Sequence, residues 1–586
     1  DQAPDTPAEQ LGYLNYSLAA YDKPAWAFDL LEAYLGKDTF DHSMRSFYEQ
    51  WQFKHPRPAD LQKQFEQTSG RSLDWFFSGL IGSNAKLDYA LQRIECMDAT
   101  CSVSLRNRGA VASPVLLETR DQSGSVLHHQ WIEGFAGDTT VIVPAGPIGL
   151  AVLDPDHLTP DLYRHNNQRK ADGFLPRLEP LHLKFMVGFP SSSQTNLYFS
   201  PLAAWNDYDK VQMGLALYNY FFLEKPFEWA LAPMISTKTG ELTGAGHARF
   251  HWYPQAPGLQ RWTLQLGIRS FHDDYNDLFD FSTRYYRLSP SLRLDLATPA
   301  TSAFRHFLQW RTLFIGEEEG QVGIDGFSGL EWQRRIIHEL SYAGWAARVV
   351  NPFGYRIALE QQSYTSAFGT EEDYLRLSLE GRSAYTYAAG RNLSFRFFGG
   401  FFLRNTRREG GAIFPGAFNL TAQGYRDYDD YRYDGAYFAR NADDGFGSQQ
   451  IEIRDGGFKN AFSDAFRLTS GNSNNLLLAI NVEADLPFRL PWDLPLRPYL
   501  DLAYADDATP AGADKSFSDQ IWWSGGLSLD FEEIGLGLFA PLFHSKNIRE
   551  LYDQDGRNGL LSRLTFRFDL SRLDLLQDEE DRQRWW

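Results

Sequence analysis

The chain has 586 residues, of which 15% are aromatic, and its formal net charge at pH 7 is −19. This length predicts two to four domains, and the negative charge argues against a nucleic-acid partner. The longest apolar candidate, MGLALYNYFFL, is too short for a membrane-spanning helix, so the chain is expected to be soluble or to form a closed β-barrel.

The first ten residues, DQAPDTPAEQ, lack an initiator Met and the basic and apolar segments of a signal peptide. They are typical of a mature or internal start.

Residues 1–84 show helical periodicity. Pro24 is expected to open a helix that ends at Gly36, with its apolar side chains on one face. Further helices are predicted to begin near Asp38, Pro58 and Ser72. This segment is therefore predicted to be a small α-helical domain.

Residues 85–172 change to short alternating strands separated by Gly, Pro and Asp, and end in a linker. The pattern predicts a β-sandwich of immunoglobulin or fibronectin size. Cys96 and Cys101 flank a predicted hairpin turn. A disulfide, typical of an oxidising compartment, and two free thiols are both compatible with this spacing.

Residues 173–586 carry longer segments that alternate between apolar and polar residues. Two faces alternate in RWTLQLGIRS: one has Trp262, Leu264, Leu266 and Ile268, and the other has Thr263, Gln265, Gly267 and Arg269. The repetition of this pattern predicts a transmembrane antiparallel β-barrel of about sixteen strands, with fourteen also possible.

The connections between these strands alternate in length. Turns such as NPF and AAGRN are short, whereas the others are longer and acidic, including an exterior loop expected at about 406–474. This is the arrangement of outer-membrane barrels, and an even strand number would place both chain ends, including a short C-terminal tail, in the periplasm.

Few residues are candidates for catalysis or for binding a metal or ligand. HELSY, His338–Tyr342, lacks the second His of a zinc motif and lies on a predicted strand. Asp553, Asp555 and Asn558 form a possible surface ligand site, although a solvated turn explains them as well. The segment RDYDDYRYDG, 426–435, could bind a ligand or partner from the exterior loop, or simply pack within it.

Residues 15–82 contain YDKPAWAFDLLEAYLG and SLDWFFSGLI. These stretches resemble the region after the zinc site of M1-family (gluzincin) aminopeptidases. VLDPDHLTPDLYRHNNQ, further along, is similar to the end of the β-domain in barrel-fused M1-like proteins of Bacteroidota-type bacteria.

The resemblance implies that Tyr21 stabilises the oxyanion of a tetrahedral intermediate opposite a zinc ion. Zinc is accordingly expected for the full-length protein. This chain contains no HExxH motif, so by itself it is expected to bind no zinc and to be inactive.

Two functional hypotheses follow. In the first, the chain anchors a periplasmic M1-like metallopeptidase that trims peptides at the outer membrane of a Gram-negative bacterium. In the second, a non-catalytic barrel is itself the working part, as a pore, a transporter or a scaffold for outer-membrane protein assembly, with other outer-membrane proteins or lipoproteins as partners. About sixteen strands can leave an aqueous channel, but inward side chains or the loop at 406–474 could fill it.

Overall fold

The computed structural model describes residues 2–97, 99–172, 181–188, 194–221, 224–254, 256–299, 302–323, 326–365, 370–408, 417–442, 445–462, 471–506, 516–531 and 534–569. No helix in these ranges is both long and apolar enough to cross a membrane. The chain divides into two compact units, with the main boundary between Leu183 and Lys184.

The first unit begins with helices: α1 (Tyr13–Ser17), α2 (Lys23–Leu35), α3 (Lys37–Trp51) and α4 (Pro58–Ser69), with π-helical turns at Leu18–Asp22 and Trp75–Ile81. A proline lies in the first turn of α4, where its missing N–H leaves no hydrogen bond unmade. The helical backbone runs on from Tyr13 into α2, so the helix does not begin at Pro24 as predicted. Gly36 and Gly70 end these helices with positive φ values of 83° and 68°, a conformation that glycine adopts without strain.

The same unit continues with β1 (Tyr89–Met97), β2 (Thr100–Asn107), β3 (Val115–Asp121), β4 (Val126–Ile132), β5 (Gly137–Pro144), β6 (Ile148–Leu153) and β7 (Gln168–Lys170). They form two antiparallel sheets, ordered β1-β2-β5 and β4-β3-β6-β7. Leu30 and Phe65 of the helices share one apolar core with Val103 and Leu117 of the two sheets. The helical and β segments therefore fold together, and the immunoglobulin-like arrangement stays a prediction.

Cys96 and Cys101 face each other across the β1–β2 hairpin and are joined by a disulfide. Cys101 is fully buried in the apolar core. The bond ties the end of β1 to a strand that belongs to that core.

We expect the double substitution Cys96→Ser and Cys101→Ser to lower the unfolding free energy of the first unit by about 2 kcal/mol, because a short loop is no longer closed in the unfolded chain. Urea titration of the full chain, with and without reductant, measures this. Reductant should lower the urea midpoint of the wild type and leave the midpoint of the double variant unchanged. Equal midpoints for the wild type and the double variant without reductant would contradict the expectation.

Among the described residues, the second unit is dominated by one closed sheet of seventeen strands, in which successive strands are neighbours. The first strands are β8 (Leu181–Phe185), β9 (Thr195–Asn206), β10 (Lys210–Tyr218), β11 (Phe227–Ser236), β12 (Leu242–Trp252), β13 (Leu259–Asn276), β14 (Phe281–Leu296), β15 (Phe304–Gly323) and β16 (Gly326–Ala346).

The sheet continues through β17 (Phe353–Thr365), β18 (Glu371–Ala388) and β19 (Arg391–Asn405). A separate two-stranded pair follows, β20 (Leu420–Thr421) with β21 (Asn472–Ser473). The remaining elements are β22 (Leu476–Ala484), β23 (Leu496–Asp506), β24 (Ile521–Phe531), β25 (Leu536–His544), helix α5 (Lys546–Gln554) and β26 (Thr565–Phe568).

The described residues thus contain one strand more than the sixteen counted from the sequence, which agrees with a prediction of about sixteen. The additional strand is β8, near the start of the predicted barrel segment 173–586. It has five residues, too few for its alternation to stand out from sequence alone. The placement of the chain ends, which depended on an even count, stays a prediction.

The alternation predicted for the barrel strands is confirmed. In β13, Leu264 and Leu266 are exposed by 58% and 42%, whereas Thr263 and Gln265 are exposed by 2% and 3%. Phe395 and Phe397 of β19 are likewise exposed, with Arg396 between them buried. The strands thus present an apolar outer face and a polar inner face, as a lipid-facing barrel requires.

Two of the predicted acidic loops are mostly strand. The segment 316–329 belongs largely to β15 and β16, and residues 272–276 of the segment 272–280 belong to β13. Acidic residues here are paired across the hairpin, as where Arg335 donates a hydrogen bond to Glu317 at 2.8 Å. The density of acidic residues therefore suggested loops at positions where the sheet in fact continues and is stabilised by cross-strand pairs. The predicted C-terminal tail lies outside the described residues.

Candidate functional site: the loop inside the barrel

The segment between β19 and β22 was predicted to be an exterior loop that could also fill the lumen, and the contacts of its described part agree with filling. Residues 417–442 and 445–462, called the lumen loop below, contact the inner face of the barrel from Arg269 on β13 to Asp501 on β23 and Thr565 on β26. A segment that reaches inward side chains around a closed barrel lies in its lumen. The physical reason is that the loop supplies partners for charges on the wall.

The first anchor of the lumen loop is Arg432. Its guanidinium donates hydrogen bonds of 2.9 Å to Glu339 on β16 and to Glu360 on β17. Both glutamates are buried in the wall, and they also pair with Arg356 and Arg376 of neighbouring strands. Because these charges are shielded from water, the pairing is stronger than that of a surface ion pair.

A second anchor is Asp434, whose carboxylate is surrounded by guanidinium groups. Arg287 of β14 donates to Oδ1 at 2.5 Å, and Arg311 of β15 donates to Oδ1 at 3.1 Å and to Oδ2 at 3.4 Å. Arg432 and Arg454 of the loop itself lie 3.3 and 3.2 Å from Oδ2. Burial alone would raise the pKa of Asp434, but the four positive charges outweigh burial and hold that pKa well below its ordinary value.

The third anchor, Lys459, lies on the opposite part of the wall. Its ammonium is 3.1 Å from Asp501 of β23 and 2.9 Å from Glu483 of β22, and its backbone N–H also donates to Asp501. Burial would lower the pKa of Lys459, but the two carboxylates outweigh it and raise that pKa. Asn481, next to them, donates to the carbonyls of Gly456 and Gly457.

Apolar contacts accompany these ion pairs. Phe458 and Phe462 are fully buried, and the ring of Phe462 stacks on Trp522 of β24 with centroids 5.3 Å apart. Leu420 and Tyr431 belong to the same apolar cluster as inward residues of the wall. The loop is thus held by packing as well as by charge.

The lumen loop also has internal structure. Arg440 pairs with Asp430 at 2.9 Å, and its guanidinium lies over the rings of Tyr433 and Tyr437. At Gly457, φ is +66°, and a Cβ atom there would come within 2.4 Å of Arg396 on the wall. The backbone conformation therefore favours glycine at this position, and a side chain there would displace the Arg396 guanidinium.

One edge of the loop pairs with the last barrel strand. The N–H of Ile451 donates to the carbonyl of Phe566 on β26 at 2.8 Å, and the hydroxyl of Thr565 donates to the carbonyl of Lys459. The loop therefore forms hydrogen bonds with the backbone of the wall as well as with its side chains.

A cavity of about 200 Å³ remains between the lumen loop and the wall. Arg311, Arg356 and Arg382 of the wall line it together with Arg432, Asp434 and Arg454 of the loop. Wall glutamates line it too, among them Glu380, which pairs with Arg382 at 2.8 Å. The space is polar and is large enough for several water molecules or one small ligand.

The residues predicted from the resemblance lie elsewhere, in the first unit. Tyr21 sits in the π-helical turn before α2, is exposed by 61%, and contacts Tyr16 edge-on. Lys23 donates to the carbonyl of Ser83 at 3.1 Å. A zinc ion needs His, Cys, Asp or Glu ligands, and no group of three or more such side chains in the described ranges is arranged to hold a metal ion. The described residues around Tyr21 thus do not fit zinc.

The other candidates are placed as follows. Asp555 ends α5, while Asp553 and Asn558 are exposed on either side of it. His338 lies on β16, and its ring forms a hydrogen bond of 3.0 Å with Thr312 of the neighbouring strand. The segment 426–435 is largely buried inside the barrel rather than exterior.

Sequence reasoning missed the wall residues that receive the loop, namely Arg287, Arg311, Glu339, Glu360 and Asp501. A signal was present, because each occupies a polar position on an alternating strand. The loop carries matching charges in RDYDDYRYDG and in IEIRDGGFK.

No family model matches the chain, and no curated protein matches it. Among solved structures, BamA from Haemophilus ducreyi lacking POTRA domains 1–3 is 10% identical, with 84% of this chain and 92% of that one covered and a TM-score of 0.33. CdiB from Escherichia coli is 11% identical, with coverage of 60% and 59% and a TM-score of 0.31. The copper transporter OprC is 7% identical, with coverage of 80% and 69% and a TM-score of 0.24.

Proposed function

We propose that the chain is a non-catalytic β-barrel of the outer membrane of a Gram-negative bacterium, and that it acts as a conduit closed by its own lumen loop. The observation that carries this proposal is the charged boundary between loop and wall, formed by Arg432, Asp434 and Lys459 with their partners. The lipid bilayer is its surroundings, because the outer face of the strands is apolar.

Barrels of sixteen to eighteen strands enclose a water-filled channel unless something fills it. Apolar contacts such as that of Phe462 with Trp522 stabilise the loop in the lumen, but the buried ion pairs add little stability over packed hydrophobic residues. Here the wall carries Glu339, Glu360 and Asp501, which water can solvate if the loop leaves. A polar boundary of this kind suits a loop that moves.

Conductance in planar lipid bilayers tests the proposal. The wild-type barrel should conduct weakly, and a variant in which 417–462 is replaced by a short Gly-Ser linker should conduct at least about tenfold more, because a barrel of this size is wide enough for hydrated ions. Circular dichroism verifies that the variant retains its strands. A folded loop-deleted barrel that does not conduct would favour a scaffold role in an outer-membrane assembly instead.

A peptidase role for the first unit stands as a separate proposal, supported by the resemblance of residues 15–82. The zinc ligands would then lie outside residues 1–586. Zinc content and aminopeptidase activity of the full-length gene product test it. Activity that is unchanged by Tyr21→Phe would remove the role assigned to that phenol.

A further inference from the structure

The carboxylate of Asp434 is bound in the way that a protein binds a separate carboxylate ligand. Arg311 donates to both of its oxygens, and Arg287 adds a contact of 2.5 Å from the next strand. Two-point binding by arginine is the geometry that proteins use to recognise carboxylates. Arg287 and Arg311 belong to the wall, whereas Asp434 belongs to the loop that fills the lumen.

The two wall arginines also have partners on the wall. Arg287 is 3% exposed and donates to Ser289 of its own strand, besides its bonds to Tyr433 and Asp434 of the loop. Arg311 is 6% exposed and lies 3.5 Å from Glu339. Because both sit on rigid strands, the pair keeps its spacing when the loop moves.

Space for a ligand lies next to this carboxylate. Arg311 and Asp434 both line the cavity of about 200 Å³ described above. Among the glutamates in that lining, Glu380 pairs with Arg382, whereas Glu339 also lies near Arg311. A small ligand can therefore approach Arg311 from the cavity.

We propose that Arg287 and Arg311 form a binding site for a small soluble carboxylate, and that Asp434 occupies this site while the lumen loop is in the barrel. A carboxylate that enters the cavity competes with Asp434 and favours release of the loop. This inference deepens the proposed closure of the barrel and rests on it.

The test is titration calorimetry of the purified barrel in detergent with succinate, against sodium chloride at the same ionic strength. Asp434→Asn removes the competing charge and keeps the shape of the side chain. We expect this variant to bind succinate at least about tenfold more tightly than the wild type, since a site that is mostly occupied internally lowers the apparent affinity for a soluble ligand.

Arg311→Gln in the Asp434→Asn background should abolish the gain, whereas Arg404→Gln, at an exposed position paired with Asp373, should leave it unchanged. Equal succinate affinity for Asp434→Asn and wild type, or a gain that survives Arg311→Gln, would overturn the proposal.

If Asp434→Asn does not fold, hydrogen exchange of the wild-type lumen loop decides the question. Succinate should speed exchange in this loop at constant ionic strength, and unchanged exchange would overturn the inference. Calorimetry in detergent does not depend on ion flow. If the barrel binds succinate but the loop-deleted barrel does not conduct, the conduit is rejected and this site stands. If the loop-deleted barrel conducts but the protein does not bind succinate, this site is rejected and the conduit stands.

Discussion

Replacing Lys459 with Met should lower the unfolding free energy of the barrel by about 3–5 kcal/mol, because a buried carboxylate loses its cation. Asp501 is fully buried and Glu483 largely so, and Lys459 bridges them at 3.1 and 2.9 Å. Equilibrium unfolding in urea, with the protein in detergent, measures the change.

Lys546→Met is the matched control, since Lys546 is exposed by 84% and forms an exposed pair with Glu550; its effect should be within about 0.5 kcal/mol. Adding Asp501→Asn to Lys459→Met should restore part of the loss, because the uncompensated charge is gone. If Lys459→Met is as mild as the control, Lys459 does not lie against the wall.

Phe462→Ala should also cost about 3–5 kcal/mol, through a different mechanism. The ring is fully buried in the lumen, where it stacks on Trp522, and truncation leaves a cavity that rigid strands cannot close. The same urea titration measures the loss.

Phe517→Ala serves as the comparison, because Phe517 is exposed by 71% and contacts Tyr504 only at the surface. Its substitution should cost less than about 1 kcal/mol. Similar losses for the two alanine variants would contradict the position given to Phe462.

Much of the fold could be predicted because period-two alternation is a local signal. The exposed Leu264 and the buried Thr263 show that it held along β13. Helix ends followed from Gly36 and Gly70 for the same reason. The strand β8 was missed because five residues give too few alternations, and the length of β15 was missed because charged residues such as Glu317 find their partners across a hairpin.

The site could not be predicted in the same way, because its contacts join residues far apart in sequence. Arg287 and Asp434 are separated by 147 positions, and Lys459 and Asp501 by 42. The alternation of polar and apolar residues indicates that Glu339 faces inward, but it does not identify the residues that Glu339 contacts there. The Tyr/Asp-rich segment 426–435 was assigned to an exterior loop because the wall arginines that pair with its Asp434 lie far away in sequence.

Hydrogen–deuterium exchange of the wild-type barrel in lipid nanodiscs tests most directly whether the lumen loop lies inside. Backbone amides of Gly424, Tyr425, Ile451 and Phe458 are hydrogen-bonded within the loop or to β26. Peptides from 417–442 and 445–462 should therefore exchange as slowly as peptides from barrel strands, over minutes to hours. Exchange of these peptides within seconds, as for an exterior loop, would contradict the closed barrel described here.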